Sequence, residues 1–139
     1  MKDCIFCKIA QGEIPCIKVY ENDRVLAFED INPISDGHTL IIPKAHAENI
    51  FEISEDDLAA IHVASKKVAA GIRKALDTTG VACLQLNGKG VNQLVMHYHL
   101  HLLPRRPGTP EIPMTKWEFI SGNMAHIKEI GAKIASSIK

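Results

Sequence analysis

The chain has 139 residues, 46% apolar and 23% charged, a composition typical of a soluble globular protein that forms one domain over residues 1–139. Its 16 acidic and 16 basic residues balance, so no overall field favours nucleic acid or an anionic membrane as a partner. The sequence shows no apolar leader and no run of ~20 apolar residues, and we expect its four cysteines to be thiols or metal ligands. We therefore predict a cytoplasmic protein.

The first motif along the chain is Cys4-Ile5-Phe6-Cys7. Two thiolates with this spacing on one tight turn form half of a common zinc site. A redox pair is the alternative, but a thioredoxin-like motif follows a strand, and no strand precedes this one. Cys16 and Cys83 stand alone and are expected to be small apolar fillers. If zinc binds to Cys4 and Cys7, its other two ligands should be histidines.

Two short strands are predicted at 17–20 and 24–28, joined as a hairpin by Glu21-Asn22-Asp23. The polar break Glu29-Asp30-Ile31-Asn32-Pro33 follows, in which the proline keeps Asn32 out of a helix. Asp30 suits a turn, the usual role at such a position. A carboxylate at the end of a strand also suits the two hydroxyls of a ribose, and both interpretations stay open.

After Gly37, a third strand is predicted at 39–42. His46, just past its end, is a candidate metal ligand or the partner of one. The remaining isolated histidines are expected to be structural or surface residues: His38, His62 and His126.

A long helix follows, because Ser54-Glu55-Asp56-Asp57 resembles a capping box and apolar residues recur at helical spacing from Leu58 to Leu76. We expect it to stop near Gly80, to build the core and to carry no chemistry. A fourth strand at 81–86 should be buried on at least one side. The loop Asn87-Gly88-Lys89-Gly90-Val91-Asn92-Gln93 then predicts either a simple β-turn or a cradle for phosphate.

The most informative stretch is His97-Tyr98-His99-Leu100-His101-Leu102-Leu103. Its composition favours a strand, in which alternate side chains share a face. The three imidazoles would then lie on one face, while Tyr98, Leu100 and Leu102 face the core.

Three interpretations of this histidine row are weighed. Three histidines within five residues are improbable as chance surface residues. A metal could bind two neighbouring histidines but would not reach both ends of the row, since a rise of roughly 3.3 Å per residue separates the outer α-carbons by about 13 Å. The third is an anion-reactive face, because imidazoles that titrate near neutrality can bind phosphate, attack phosphorus or protonate a leaving group.

Beyond the row, Pro104-Arg105-Arg106-Pro107-Gly108 predicts a basic turn. The last predicted element is a helix after Asn123, with isoleucines at helical spacing. Trp117 and Phe119, just before it, are expected to pack on the domain or on a partner subunit.

The histidine row is the signature of the histidine triad (HIT) superfamily. The chain resembles its Hint-like, nucleotide-binding branch over nearly its whole length, with further shared landmarks at Cys4–Ile9, Phe28–Pro33, Gly37–Lys44, His46, Asn87-Gly88 and Gln93. The resemblance implies an α+β fold with a five-stranded antiparallel sheet, one long helix and one or two shorter ones. It also implies a homodimer with a ten-stranded sheet, and hydrolysis or transfer at the α-phosphorus of a nucleotide, typically adenosine.

The resemblance also assigns roles to individual residues. His99 would be the nucleophile that takes the nucleotidyl group, and His101 would bind phosphate oxygens and help the departing group. Asp30 would hold the ribose hydroxyls, while Asn87 and Gln93 would contact ribose or phosphate. Magnesium would not be strictly required, because histidines and loop amides supply positive potential.

In several microbial relatives a structural zinc lies where this chain has Cys4, Cys7, His46 and His97, a tetrahedral Cys2His2 set. This set would leave His99 and His101 free for phosphate.

One departure from the family pattern concerns catalysis. Many relatives have Gly-Gln-Ser or Gly-Gln-Thr before the triad, with the hydroxyl on phosphate, whereas this chain has Asn92-Gln93-Leu94. The leading expectation is a hydrolase of AMP conjugates such as nucleoside phosphoramidates. The alternatives are a dinucleoside polyphosphate hydrolase, a nucleotide-binding regulatory protein with little turnover, and a zinc hydrolase.

Overall fold

The computed structural model describes residues 3–113 and 118–138. Within these ranges the elements follow in chain order: helix α1 (Ile5–Ala10), strands β1 (Lys18–Glu21), β2 (Val25–Glu29) and β3 (Thr39–Pro43), helix α2 (Glu55–Leu76), strand β4 (Gly80–Gln85), a 3-10 turn (Lys89–Val91), strand β5 (Leu100–Arg105) and helix α3 (Met124–Ser137). Trp117, which we expected to pack on the domain or on a partner, lies outside the described residues. Every helix in these ranges is too short or too polar to cross a lipid bilayer.

The five strands form one antiparallel sheet in the order β1-β2-β3-β5-β4. This confirms the predicted α+β fold class and the five-stranded sheet. The hairpin β1–β2 and strand β3 lie within about one residue of the predicted ranges. Strand β5 enters between β3 and β4, so the strand that carries the end of the histidine row lies inside the sheet and β4 lies at its edge.

Helix α2 covers one face of the sheet. Its first turn is capped by Ser54, whose Oγ accepts the Asp57 N–H, and it ends at Asp77 in a left-handed conformation with φ of 50°. Its last helical residue, Leu76, lies four residues before Gly80, near which we expected the helix to stop. The helix packs its buried residues on the inward side chains of the sheet. Together they form a core of Ile61, Ala64, Val68, Ile72, Val25, Ala27, Ile41, Tyr98, Leu100 and Leu102.

The opposite face of the sheet carries helix α1, which the sequence analysis did not predict. The Cys-x-x-Cys motif lies on this helix and not on a tight turn, because Cys4 is the N-cap and its Sγ accepts the Cys7 N–H at 3.4 Å. With six residues, the helix is too short to be recognised by periodicity. It packs its buried side chains against alternate residues of the sheet, giving a second cluster of Cys4, Phe6, Cys7, Leu26, Phe28, Leu40 and Ile42.

Two expectations about β4 are wrong. None of its residues is fully buried, because β4 lies at the sheet edge. Cys83, expected to be an apolar filler, is exposed on this strand, whereas Cys16 is half-buried beside the α1 cluster.

Strand β5 also differs from the strand that we predicted. It begins at Leu100, and it includes Pro104 and Arg105, which we expected in a turn. The Arg105 carbonyl accepts the Thr79 N–H next to β4, so the neighbouring Pro104 faces the β3 side. Pairing with β3 ends at Leu102. The missing N–H of Pro104 therefore breaks no ladder bond.

Candidate active site

The three triad histidines lie on the sheet face opposite α2. Tyr98, Leu100 and Leu102 belong to the α2 core, so the alternating residues project to the other side. His97 is fully buried, His99 is 7% exposed and His101 is half-buried. The rings of His99 and His101 are neighbours, with centroids 4.9 Å apart. His97 precedes the regular strand, in a bend fixed by the Tyr98 N–H, which donates to the Ala47 carbonyl at 2.7 Å.

His97 faces the two cysteines of α1. Its Nδ1 lies 3.3 Å from Sγ of Cys4, 3.5 Å from Sγ of Cys7 and 3.2 Å from Nδ1 of His46. Its Nε2 lies 2.8 Å from the Pro43 carbonyl, to which it must donate. This bond assigns the proton to Nε2 and leaves the lone pair on Nδ1, which is the arrangement that a metal ligand needs.

These four side chains form a group that could hold a metal ion, with all four ligand atoms within 4.8 Å of one another: Cys4, Cys7, His46 and His97. A tetrahedral zinc ion with Zn–S of ~2.3 Å and Zn–N of ~2.0 Å separates a sulfur from a nitrogen ligand by about 3.5 Å and two nitrogens by about 3.3 Å. Sγ of Cys7 lies 3.3 Å from Nδ1 of His46. The distances therefore fit a closed Cys2His2 site.

Burial favours the neutral forms of His97 and Cys7 in the absence of a cation. It lowers the pKa of His97 to about 4 and raises the pKa of the Cys7 thiol. A bound cation would reverse the effect on the thiols, because it stabilises thiolates.

His99 is held by one hydrogen bond in the state that a nucleophile requires. Its Nδ1 lies 2.7 Å from the His97 carbonyl, so the proton is assigned to Nδ1 and the lone pair to Nε2. Burial lowers the pKa of His99 and keeps the imidazole neutral. Within the described residues, no side chain or carbonyl bonds His99 Nε2, so this nitrogen is available to a substrate.

His101 belongs to a hydrogen-bonded chain that starts at a backbone amide. The Ile34 N–H donates to His38 Nδ1 at 3.0 Å, which places the His38 proton on Nε2. His38 Nε2 lies 2.8 Å from His101 Nδ1 and so donates to it. His101 must therefore carry its own proton on Nε2. Burial, together with His99 and His38, lowers the pKa of His101 to about 4, so the ring is a neutral hydrogen-bond donor.

His38 was expected to be a structural or surface residue, and that expectation is only half right. It is 2% exposed, and it contacts both His101 and Asp30, whose Oδ2 lies 3.5 Å from His38 Nε2. Burial lowers its pKa despite the nearby carboxylate. No local sequence signal indicates this role, because His38 meets His101 only when Leu40, two residues further along, pairs with His101 across β3 and β5. His62 and His126 are exposed, as expected.

Asp30, His38 and His101 also place three ligand atoms close together. This second group suits proton and phosphate chemistry better than a metal. A metal between His38 Nε2 and His101 Nδ1 would need lone pairs on both atoms. The His38 proton would then move to Nδ1, where it would meet the Ile34 N–H donor.

Asp30 lies at the end of β2, half-buried, on the side of the histidines. Its Oδ1 accepts the Asn32 N–H at 2.8 Å, which forms the turn that the sequence suggested. Its other oxygen faces His38 Nε2 at 3.5 Å. Both sequence interpretations of Asp30 therefore remain compatible, since one oxygen makes the turn and the other faces the site.

The loop between β4 and β5 is held by amide side chains. Gln93 is 4% exposed: its Oε1 accepts the Gly88 N–H and its two N–H groups bond the carbonyls of Glu48 and Val95. Asn87 Oδ1 accepts the Ile50 N–H at 2.7 Å, and the Asn87 amide also pairs with the Gln85 amide. This pairing uses one of the two N–H groups of Asn87, so the other can donate to a ligand. Their expected contacts with ribose or phosphate stay predictions, and Asn87 has the freer donor.

Asn92 and Leu94 flank Gln93 and differ in conformation and exposure. Asn92 adopts a left-handed conformation with φ of 61°, which asparagine tolerates better than most residues. Leu94 is 87% exposed. It therefore presents an apolar side chain to solvent at the position where the family resemblance leads us to expect a hydroxyl.

Comparison with known proteins shows the family to which the chain is related. The HIT domain family matches residues 11–108. The chain is similar to "Protein hit" of Bacillus subtilis (45% identical over 104 residues, 75% of this chain and 72% of that protein). It is also similar to "Adenosine 5'-monophosphoramidase hnt1" of Schizosaccharomyces pombe (40% identical over 143 residues, 98% of each chain).

A similar solved structure is the histidine triad nucleotide-binding protein from Candida albicans. It superposes with a TM-score of 0.83 at 33% identity, over 96% of each chain. The α+β fold with its open five-stranded sheet is therefore shared along almost the whole length.

Proposed function

This chain belongs to the HIT domain family, and we propose that it is a hydrolase acting at the α-phosphorus of adenosine nucleotide conjugates such as nucleoside phosphoramidates. The observation that carries the proposal is the 2.7 Å contact between His99 Nδ1 and the His97 carbonyl, which assigns the His99 proton to Nδ1. A neutral imidazole with an open Nε2 is a nucleophile. The monophosphoramidase name of the fission-yeast relative supports the substrate class.

In the first step, His99 Nε2 would attack the α-phosphorus of a phosphoramidate. The new P–N bond to His99 forms as the P–N bond to the leaving group breaks. The departing nitrogen keeps the electron pair of that bond and takes a proton from solvent to become the free amine. The product is a nucleotidyl-histidine that retains its Nδ1–H on the His97 carbonyl.

In the second step, water attacks the same phosphorus and the P–N bond to His99 breaks. The electron pair of that bond returns to Nε2, and the water proton leaves to solvent as AMP forms. Dividing one difficult displacement into two easier ones is the benefit of a covalent intermediate.

His101 would stabilise both transition states as a donor. Its Nε2–H can bond phosphoryl oxygens or the departing atom, because its Nδ1 is already occupied by His38 Nε2–H at 2.8 Å. Donors that are fixed before the reaction stabilise developing charge without reorganisation. For this reason a magnesium ion is not strictly required in the mechanism.

We propose that Asp30 holds the ribose hydroxyls through its oxygen on the histidine side, and that the remaining Asn87 N–H contacts ribose or phosphate. Gln93 would contribute mainly by holding the loop, since both of its N–H groups already bond carbonyls. A direct contact of Gln93 with ribose would use its Oε1.

The four-residue group of Cys4, Cys7, His46 and His97 would hold a structural zinc ion. The ligand-atom distances fit a tetrahedron, and all four positions would be taken by protein, leaving none for a catalytic water. The ion would join α1 to the sheet next to the histidines. This disfavours a zinc-hydrolase mechanism, and reduced thiolates at this site fit the expected cytoplasmic location.

We also propose that the protein is a homodimer with a ten-stranded sheet, paired through β4. The other edge strand, β1, carries Lys18 and Glu21 and has an irregular register, features that discourage pairing. Strand β4, Gly80–Gln85, has no charged residue. Helix α3 has exposed isoleucines at helical spacing that a second subunit would cover. Cys83→Lys should then shift the protein to monomer in sedimentation, whereas a monomeric wild type would contradict the proposal.

A regulatory nucleotide-binding protein with little turnover is the second candidate. It is favoured by Leu94, which replaces the hydroxyl that contacts phosphate in relatives. A dinucleoside polyphosphate hydrolase would use the same His99 chemistry with a phosphate leaving group.

The experiment that separates these candidates measures AMP release from an adenosine phosphoramidate and from a dinucleoside polyphosphate. The hydrolase proposal expects turnover by the wild type, none by His99→Ala and full turnover by the exposed control His126→Ala. AMP binding without cleavage of either compound would support the regulatory candidate.

A further inference from the structure

Among residues 3–113 and 118–138, the imidazole of His99 has one polar anchor and two ring neighbours. Its Nδ1–H bonds the His97 carbonyl at 2.7 Å, and the ring of His101 lies 4.9 Å away, centroid to centroid. The third contact is the ring of Phe6, 5.2 Å away at an interplanar angle of 85°. A single hydrogen bond allows the imidazole to pivot about it, so the ring contacts decide where Nε2 points.

Phe6 is a firmly held side chain. It is 7% exposed, and its ring also meets Phe28 at 5.6 Å and His97 at 6.0 Å, both edge to face. A six-residue helix such as α1 would not form alone in water. Here the helix is attached to the sheet on either side of Phe6, because the thiols of Cys4 and Cys7 both contact His97 Nδ1.

We propose that Phe6 is a positioning residue for the nucleophile: helix α1 holds the Phe6 ring against His99 and fixes the direction of its Nε2. This inference rests on the proposed function and adds a residue that does not touch the reacting atoms. Near-attack geometry is demanding, and a misplacement of about 1 Å can cost on the order of 100-fold in rate. A flexible aliphatic side chain would fill the same space without the rigid ring that restricts the imidazole.

The chain offers a matched control in Phe28. This residue is 4% exposed, belongs to the same cluster and contacts Phe6, but within the described part of the chain its ring does not contact the ring of His99. Phe6→Leu and Phe28→Leu should therefore lose similar stability, which urea unfolding would verify. On an adenosine phosphoramidate, Phe6→Leu is expected to lower kcat by about tenfold with KM within a factor of about two, while Phe28→Leu keeps kcat within a factor of about two.

A second measurement does not depend on turnover. In protein labelled with 15N-histidine, the His99 signals are identified by their loss in His99→Ala. The wild type and Phe28→Leu should show one dominant tautomer with the proton on Nδ1. In Phe6→Leu, the His99 shifts should move toward the average of the two tautomers, and the Nδ1 proton should exchange faster with water.

Equal kcat values and unchanged His99 15N shifts in the two leucine variants would overturn the positioning role. A Phe6→Leu effect confined to KM would also overturn it. If the wild type cleaves no AMP conjugate, the proposed function fails, and the 15N comparison still decides whether Phe6 orients His99.

Discussion

His38 Nε2 lies 2.8 Å from His101 Nδ1, although the two residues are 63 positions apart in the sequence. The Ile34 N–H occupies the other nitrogen of His38, so the direction of this hydrogen bond is fixed. As a result, His101 presents Nε2–H to the site, whereas His99 presents a lone pair. Two chemically identical side chains two residues apart thereby take opposite roles, and backbone groups set the difference.

Replacing His38 with Phe should lower kcat, because His101 loses the donor that fixes its proton on Nε2. We expect a loss of about tenfold or more in AMP release, the scale of one fixed donor. The 15N shifts of His101 should move toward a mixture of tautomers. His62 is an exposed histidine on α2, so His62→Phe is the control and should leave kcat and the His101 15N shifts unchanged. Full activity of His38→Phe would show that the orientation of His101 does not depend on His38.

Acid should destabilise the fold through His101. Its folded pKa of about 4 lies below the ordinary histidine value of 6.5, so the unfolded chain binds more protons between these values. The stability that the neutral ring contributes is fully present above about pH 6.5 and is lost as the pH falls toward 4. Urea unfolding at pH 7 and pH 5 should therefore show a smaller drop for His101→Asn than for the wild type. An equal drop in both proteins would contradict a depressed pKa.

Restoring a hydroxyl at position 94 should increase turnover. The family resemblance leads us to expect a serine or threonine hydroxyl on phosphate at this position, and Leu94 is 87% exposed, so a smaller side chain meets no packing constraint. A hydrogen bond to a charged group is worth ~1.5 kcal/mol or more, so Leu94→Ser should raise kcat/KM for a phosphoramidate by about tenfold. Leu94→Ala shortens the side chain without adding a hydroxyl, so it separates the effect of the hydroxyl from the effect of the smaller size. No gain over Leu94→Ala would show that the backbone amide at this position already serves the phosphate.

Zinc removal should destabilise the protein, because metal binding to a closed site contributes folding free energy. The purified protein is expected to contain one zinc ion per chain by elemental analysis. Cys4→Ser should lose the metal and lower Tm by on the order of 10 °C. Cys16 is a half-buried cysteine outside the group, so Cys16→Ser should keep the zinc ion and the Tm of the wild type. Loss of zinc without any change in Tm would contradict a structural role.

Local patterns were sufficient for much of this structure. Helix α2 follows from the Ser54 cap and the apolar spacing, and the hairpin follows from its turn residues. The shared face of His99 and His101 follows from strand alternation. The resemblance then named the metal group, whose four members the structure does bring together.

The features that the sequence did not reveal depend on long-range contacts. His38 has no neighbouring motif, and its partner becomes visible only when β3 and β5 pair. Helix α1 is too short for periodicity and forms where its cysteines meet His97. Pro104 suggests a turn by composition, but it can extend β5 because its nitrogen faces the side where pairing has ended.

The central claim is that His99 forms a covalent bond to the α-phosphorus of a nucleotide. Rapid quenching of the protein during turnover of an adenosine phosphoramidate, followed by peptide mass spectrometry, tests it most directly. The account predicts an added mass of AMP less water on the peptide containing His99, and only on that histidine. An adduct on another residue, or steady AMP production by His99→Ala, would contradict it.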